Sequence, residues 1–189
     1  MRPALIHAKR RLYSRRYALN TGSSACFSVH CWNAPIARQL VWPSSGAPKT
    51  GKSWLALTLC LCVAKGEPLW SFAAQQCSVL YLCLEDSYQR IRCRLLDLTE
   101  DAPDTLHFSI IAEQLHGGLE QQIERFLLEH PDTGLVVIDT FQRVRGSGDS
   151  GNPYANDYRD IGALKALADK HRIAIPVSYT HLRAHETCA

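Results

Sequence analysis

The sequence predicts an α/β domain in which a mostly parallel sheet lies between layers of helices. Three observations support this class. Short runs rich in Val, Ile and Leu alternate along the chain with longer helical segments, which is typical of repeated βαβ units. Two of those runs end in acidic residues, at the position where parallel sheets place their ligands. A turn containing two glycines precedes the first helix and fits a phosphate-binding pattern.

The length of 189 residues suits one such domain, but charge divides the chain into two parts. Residues 1–45 carry seven Lys or Arg side chains and no Asp or Glu. Residues 46–189 carry 14 basic and 18 acidic side chains, a net charge of −4. Eight cysteines without a recognisable signal peptide indicate a reducing compartment, so we expect a cytoplasmic protein.

The cysteines do not predict a zinc-type metal site, and no membrane segment is predicted. Cys26, His30 and Cys31 lie close together, but no second ligand pair follows at a spacing typical of zinc sites. The apolar run from Trp54 to Ala64 is about half the length that a membrane crossing needs.

Residues 1–45 form an irregular basic segment with neither helical nor strand periodicity. Three interpretations stay open: a basic arm for nucleic acid or lipid, an organellar transit peptide, or a non-native reading frame. We favour the third because Pro43 occupies the place of the buried strand expected before a phosphate-binding turn, and proline cannot donate to a strand ladder. One permissible set of codons for residues 40–45, read two bases later, encodes Gly-Leu-Ala-Val-Ile, which suits a buried strand.

The phosphate-binding pattern G-x-x-x-x-G-K-[ST], or Walker A motif, opens the regular part of the chain. Glycines let several backbone N–H groups converge on a phosphate, and the following helix directs its positive dipole end toward the same anion. Lys52 is expected to reach the β- and γ-phosphates, and the Ser53 hydroxyl is expected to ligate Mg²⁺. The predicted nucleotide-binding residues are Gly46, Ala47, Pro48, Lys49, Thr50, Gly51, Lys52, Ser53 and Trp54.

The next two segments predict a buried helix and a strand with an acidic end. Ser53 to Lys65 is apolar on all sides, which indicates a buried helix, and Gly66 is suited to end it. Cys77 to Leu84 predicts a buried strand, followed directly by Glu85, Asp86 and Ser87. Because Asp86 or Ser87 can cap the helix that runs to about Leu98, Glu85 is the carboxylate left for chemistry. Arg90, Arg92 and Arg94 on that helix predict a solvated face.

The second half of the domain repeats the alternation. Leu106 to Ile111 is a third apolar run, and Gly117 to His130 predicts an amphipathic helix. Thr133 to Asp139 predicts a buried strand ending in an acid, the Walker B pattern, in which Asp139 holds Mg²⁺ opposite Ser53. A long loop from Phe141 to Asp157 leads to a helix that begins at Tyr158 or Asp160 and ends at His171. Residues 172–176 begin a last apolar strand.

Residues 177–189 are predicted to be a tail derived from a sequencing adapter. Residues 177–187 match, in order, the in-frame translation of a transposase adapter. His181 and His185 are four residues apart, a spacing found in metal sites, but this origin argues against a metal there. We therefore place the domain at residues 46–176 and expect it to be incomplete at its C-terminus.

Gly46 to about Ile175 resembles RecA-like P-loop ATPases, above all the RepA-type branch of plasmid and phage replicative helicases and related AAA family ATPases. KaiC and DnaB are more distant relatives in this resemblance. It is carried by the segments 46–57, 79–87 and 136–140, with support from Asp157, Tyr158 and the run Leu164 to Ala168. It implies a three-layer RecA-like P-loop NTPase core.

The resemblance implies an ATP-driven, Mg²⁺-dependent hydrolase that acts on DNA, for which single-stranded DNA is the expected partner, and that assembles as a homo-oligomer, often a hexamer. It assigns Glu85 as the catalytic residue that orients and deprotonates the attacking water, alongside Lys52. It also places Arg143 and Arg145 in a loop that faces DNA in RecA-like proteins, although solvated loop charges are the simpler interpretation. The sensor and arginine-finger residues of the family would follow the last strand seen here.

Two alternatives to a helicase or mobile-element motor stay open. One is a KaiC-like regulatory switch that depends on nucleotide but does not translocate DNA. The other is an inactive, truncated fragment of an ATPase. We expect stimulation by single-stranded DNA to distinguish the motor from the switch.

Overall fold

The computed structural model describes residues 43–46, 51–70, 73–145 and 153–180. Its strands are β1 (Pro43–Gly46), β2 (Ser78–Cys83), β3 (Leu106–Ser109), β4 (Thr133–Asp139) and β5 (Val177–Thr180). Its α-helices are α1 (Lys52–Lys65), α2 (Tyr88–Leu98), α3 (Leu119–Glu129) and α4 (Pro153–His171). A 3₁₀ turn, Phe141–Arg143, follows β4.

All five described strands form one sheet in the order β1-β5-β4-β2-β3, and every pairing is parallel. The predicted α/β class with a parallel sheet is confirmed. Parallel strands need a crossover that carries the chain back to the starting edge of the sheet, and the helices between the strands provide it. The carboxyl ends of all five described strands therefore lie together at one edge of the sheet. Ligands bind at this edge in sheets of this kind.

Helices cover both faces of the sheet, which gives the predicted three layers. Alternate residues of β4 point to opposite faces. Leu135 and Val137 pack in one apolar cluster with the buried residues of α1 and with Ile91 of α2. Val136 and Ile138 pack in a second cluster that contains residues of α3 and α4. Because β4 is apolar on both faces, it occupies an interior position in the sheet.

The first helix follows its sequence prediction closely. Leu57, Cys60 and Ala64 are almost inaccessible to solvent, and the helix ends at Gly66 with a φ of 66°. The Gly66 N–H donates to the Val63 carbonyl at 3.1 Å, and the Glu67 N–H donates to the Cys62 carbonyl at 2.8 Å. A left-handed residue with such bonds is the usual end of a helix, and glycine adopts it without strain. No helix among the described residues is long and apolar enough to cross a membrane.

The last helix begins earlier than the sequence predicted. We expected a start at Tyr158 or Asp160, but α4 begins at Pro153. Proline is well suited to the first helical position because its φ is already helical and the N–H it lacks has no helical partner there. The predicted loop from Phe141 to Asp157 is correspondingly shorter, and residues 146–152 within it lie outside the described part of the chain.

The sheet extends across both predicted limits of the domain, residues 46 and 176. β1 begins at Pro43, and β5 comprises Val177 to Thr180. Pro43 is accommodated because it is the first residue of β1, which pairs only with β5 among the described strands. Residues 1–42 and 181–189 lie outside the described residues. The origins that we propose for the segments 1–45 and 177–189 therefore stay predictions.

Replacing Ile138 by Ala is expected to lower the free energy of unfolding by about 2–5 kcal/mol, because it leaves a cavity between β4 and the α3–α4 layer. Leu128→Ala is the matched control, since Leu128 on α3 is 83% exposed, and its effect should stay within about 0.5 kcal/mol. Urea denaturation followed by circular dichroism measures both. Similar losses in the two variants would contradict the assignment of Ile138 to the core.

Candidate functional site

The amino end of α1 has the properties of an anion-binding helix start. Gly51 precedes the helix with a φ of 90°, a left-handed conformation that glycine adopts readily. The first turn of α1 contains no acidic residue, and it begins with Lys52, Ser53 and Trp54. The positive end of the helix dipole is therefore not compensated by a carboxylate of that turn. Gly46 ends β1, and Ala47 to Thr50 of the predicted motif lie outside the described residues.

Asp139 ends β4 and is 7% exposed. One carboxylate oxygen, Oδ2, accepts a hydrogen bond from the Tyr81 hydroxyl at 2.8 Å. The other, Oδ1, accepts a hydrogen bond from the Ser178 hydroxyl. A buried carboxylate requires such donors, and these two hold its position and orientation. Each oxygen keeps a further lone pair for another ligand.

Tyr81 is a contributor to the site that the sequence did not reveal. Burial, followed in size by the negative charge of Asp139, raises the pKa of Tyr81 well above its usual value, so the phenol remains a proton donor. In the β2–β4 register Tyr81 faces Val137, two residues before Asp139 and on the same face of the sheet. Its signal in the sequence is a hydroxyl among the apolar residues in the middle of a buried strand, but only the structure shows what that hydroxyl contacts.

Glu85 lies in the turn after β2, beside the end of β4. β2 and β4 are neighbours, and Cys83 is aligned with Asp139. The Leu84 N–H donates to the Asp139 carbonyl at 2.7 Å, which ties the start of this turn to the end of β4. The Glu85 side chain is exposed to solvent. The two acidic strand ends of the sequence are therefore adjacent in space.

Lys52 lies within the electrostatic influence of both carboxylates. Burial lowers the pKa of Lys52, and the negative charges of Asp139 and then Glu85 partly oppose this by raising it. Because salt water screens charges, one charged group shifts the pKa of another only at short range. The start of α1 therefore lies close enough to the ends of β2 and β4 for their charges to interact.

The cysteines beside this site are protonated at neutral pH. Burial above all, with the negative charges of Asp86 and Asp139 and against the lowering effect of backbone hydrogen bonds, raises the pKa of the Cys83 thiol to about 12. Burial also raises the pKa of Cys60 in α1 well above its usual value. Because the thiolate is the reactive form, neither residue is suited to act as a nucleophile here.

The β2–α2 turn resolves the choice between Asp86 and Ser87 as the helix cap. The Ser87 hydroxyl accepts a hydrogen bond from the Arg90 N–H at 3.3 Å and is therefore the cap. Asp86 instead accepts hydrogen bonds from the guanidinium groups of Arg90, at 2.9 Å, and Arg94. The expected solvated face is found for Arg90, whose side chain is 61% exposed, and for the exposed Arg92, whereas the Arg94 side chain is only 22% exposed.

The two arginines after β4 differ in their surroundings. Arg143 is exposed, at the end of the 3₁₀ turn. Arg145 is partly buried and forms ion pairs with Asp157 and with Asp160, the latter at 3.8 Å. Asp160 is 3% exposed and also lies 3.2 Å from Nε2 of His116. Arg145 therefore anchors the first part of the β4–α4 connection to α4, and Arg143 is the more accessible of the pair.

Comparison with known proteins identifies one family. Residues 38–184 match the family model described as AAA domain, which is more than half of the chain and includes both predicted motifs. No curated protein matches the chain.

Tyr81→Phe is expected to lower the free energy of unfolding by about 1–3 kcal/mol, because it removes a hydrogen bond to the buried Asp139 carboxylate. Tyr88→Phe is the control, since Tyr88 is 56% exposed and its hydroxyl can hydrogen-bond to water. Urea denaturation of both variants at the same pH gives the comparison. A loss for Tyr81→Phe no larger than for Tyr88→Phe would show that this hydrogen bond does not hold Asp139.

Proposed function

This chain belongs to the AAA domain family of P-loop ATPases, and from that premise we propose that it binds ATP with Mg²⁺ at the start of α1 and hydrolyses it. The proposal is supported above all by one observation: the β2–β4 register places the turn that carries Glu85 beside Asp139, and both carboxylates lie within the electrostatic influence of Lys52, although the three residues are far apart in the sequence. Phosphoryl transfer needs cationic groups on the phosphates, a metal ligand and a group that positions the nucleophile. These three side chains supply one of each.

The phosphates fit the amino end of α1. The first turn of α1 contains no acidic residue, so its dipole favours an anion there. The Lys52 side chain adds a positive charge at the same end, and partial burial strengthens its interaction with a phosphate. We propose that Gly46 to Trp54 surround the phosphates, with backbone N–H groups and Lys52 as the donors.

The residues present fit a bound Mg²⁺. Hard divalent cations prefer carboxylate, hydroxyl and water oxygens. Ser53 offers a hydroxyl at the start of α1, and Asp139 offers carboxylate oxygens that are held by Tyr81 and Ser178 yet keep lone pairs. A bound Mg²⁺ would neutralise charge on the β- and γ-phosphates. Ser53 and Asp139 are the residues that would hold it, Asp139 in part through water.

Glu85 is the residue we assign to the attacking water. Its exposed carboxylate lies in the turn after β2, two residues beyond Cys83, which is aligned with Asp139, and within the electrostatic influence of Lys52. A carboxylate in this place can accept a hydrogen bond from water and take its proton during attack on the γ-phosphorus. Lys52 and the helix end stabilise the negative charge on the phosphoryl oxygens at the same time.

Lys52→Ala is expected to weaken ATP binding about tenfold or more, because it removes charged hydrogen bonds to the phosphates. Glu85→Gln should leave the ATP dissociation constant within about twofold of the unmodified chain but lower kcat by about 100-fold, since the amide cannot take a proton. Equilibrium titration with a fluorescent ATP analogue and a phosphate-release assay measure the two effects.

Lys165→Ala is the control for these variants, because Lys165 is an exposed lysine of α4 that pairs with Asp169 on the same helix. Its affinity and turnover should match those of the unmodified chain. Equal ATP affinity in the Lys52→Ala variant and the unmodified chain would overturn the proposed function.

We further propose that ATP hydrolysis serves the handling of single-stranded DNA, in a homo-oligomer such as a hexamer. The support is the resemblance to RepA-type replicative helicases and the exposed Arg143 at the start of the β4–α4 connection. Exposed arginines can bind DNA phosphates and release counterions. A regulatory switch of the KaiC type would use the same ATP site without this contact.

Single-stranded oligo(dT) is expected to raise the ATPase rate and to bind less tightly as salt increases. Arg143→Gln should weaken oligo(dT) binding and reduce its salt dependence, while Arg92→Gln, an exposed arginine of α2, should not. Fluorescence anisotropy of labelled oligo(dT) and phosphate release are the measurements. An unchanged ATPase rate together with equal binding by both variants would favour the regulatory switch.

A further inference from the structure

We propose that Arg94 is a positioning residue that couples the first turn of α1 to the turn that carries Glu85. This inference rests on the proposed function, because it concerns the residue that we assign to the attacking water. Arg94 lies on α2 and contacts one residue from each of the two segments: Trp54 of α1 and Asp86 of the β2–α2 turn.

The turn that carries Glu85 is held on both sides of that residue. On the preceding side, the Leu84 N–H donates to the Asp139 carbonyl at 2.7 Å. On the following side, the Asp86 N–H donates to the Cys83 carbonyl at 3.3 Å, and the Asp86 side chain accepts from two arginines. Glu85 itself is exposed. Its position therefore depends on the two neighbours that the protein holds, and Asp86 is the one held by side chains.

Of the two arginines on Asp86, Arg94 is the better placed to hold it firmly. The Arg90 side chain is 61% exposed, so its ion pair is weakened by water and salt. The Arg94 side chain is 22% exposed and that of Asp86 is 9% exposed, so their ion pair is better shielded. Partly buried charged hydrogen bonds keep their geometry better than exposed ones do.

The second contact of Arg94 leads to the proposed phosphate site. Its guanidinium carbon lies 5.7 Å from the centre of the Trp54 ring, within the range of a cation–π contact. Trp54 directly follows Ser53 in the first turn of α1. The planar face of a guanidinium group can stack on an aromatic ring while its N–H groups donate to a carboxylate. A lysine ammonium has no planar face and cannot make both contacts in this way.

This chain of contacts runs from the first turn of α1 through Trp54, Arg94 and Asp86 to Glu85. Through these contacts, a conformational change in the first turn of α1 on phosphate binding alters the position of the Glu85 carboxylate, which positions the water. Arg94 touches neither the phosphates nor the water in this proposal. It acts through Asp86, so its loss should affect turnover more than ATP binding.

The test compares Arg94→Gln with Arg94→Lys and with Arg92→Gln in the full chain. Arg92 is an exposed arginine of the same helix and is the matched control. We expect Arg94→Gln to lower kcat about tenfold while the ATP dissociation constant stays within about twofold, since small displacements of a catalytic group slow a reaction strongly. Arg94→Lys keeps the charge but not the planar group, so its kcat should be intermediate. Arg92→Gln should match the unmodified chain.

Hydrogen–deuterium exchange gives a second measurement that does not require turnover. ATP is expected to slow exchange of the amides of residues 84–88 in the unmodified chain and in Arg92→Gln, but not in Arg94→Gln. Asp86→Asn should reproduce the Arg94→Gln result, and the double variant should be no worse than either single one, because both remove the same contact. If Arg94→Gln fails to fold, Arg94→Lys and Asp86→Asn decide the question.

Unchanged ATP-dependent protection in Arg94→Gln would overturn the coupling, as would a loss of kcat equal to that of Arg92→Gln. The Lys52→Ala variant distinguishes a failure of the proposed coupling from a failure of the proposed function. If Lys52→Ala weakens ATP binding and the Arg94 variants behave like the unmodified chain, only the coupling is wrong. If Lys52→Ala binds ATP normally, the ATP site itself is wrong.

Discussion

The structure depends on the parallel pairing of β2 with β4. Its register aligns Cys83 with Asp139, so the turn after β2 and the end of β4 lie side by side at one edge of the sheet. The same register brings the Tyr81 hydroxyl within 2.8 Å of the Asp139 carboxylate. A shift by one residue would exchange the faces of every side chain and separate both pairs. The apolar clusters on the two sides of the sheet keep this register in place.

The site places opposing charges where water is partly excluded. Lys52 is partly desolvated, which disfavours its charged form, and Asp139 and Glu85 compensate in part. Asp139 is buried and needs its two hydroxyl donors, while Glu85 is exposed and needs a held turn to keep its place. The two carboxylates thus have different environments, which suits different tasks: a fixed metal ligand and a group accessible to water.

The parts that were predicted well are those that local chemistry specifies. The apolar helix ending at Gly66, the strand ending in Asp139 and the helix ending at Leu98 all follow from hydrophobic pattern and capping residues. Less well predicted were the start of α4 and the limits of the sheet. The start of α4 depends on Pro153 within a polar stretch, and the limits depend on pairing between β1 and β5, which are far apart in the chain.

The roles of the polar residues around the site divide in the same way. Three arrangements result from folding. Ser87 rather than Asp86 caps α2, Arg94 contacts both Asp86 and Trp54, and Arg145 pairs with Asp157 and Asp160. Each involves partners on different elements or a choice between adjacent side chains. Sequence spacing alone leaves these choices open, because several residues carry the same functional groups within reach.

The sequence by itself determined the fold class and the chemical groups of the candidate site: the pattern around Lys52, and the acids that end two buried strands. It could do so because periodicity and motif spacing are properties of neighbouring residues. Only the tertiary structure decided that β2 and β4 are adjacent, that Tyr81 donates to Asp139, and that Lys52 lies within the electrostatic influence of Asp139 and Glu85. Strand order and register arise from packing between distant segments, which no local pattern encodes.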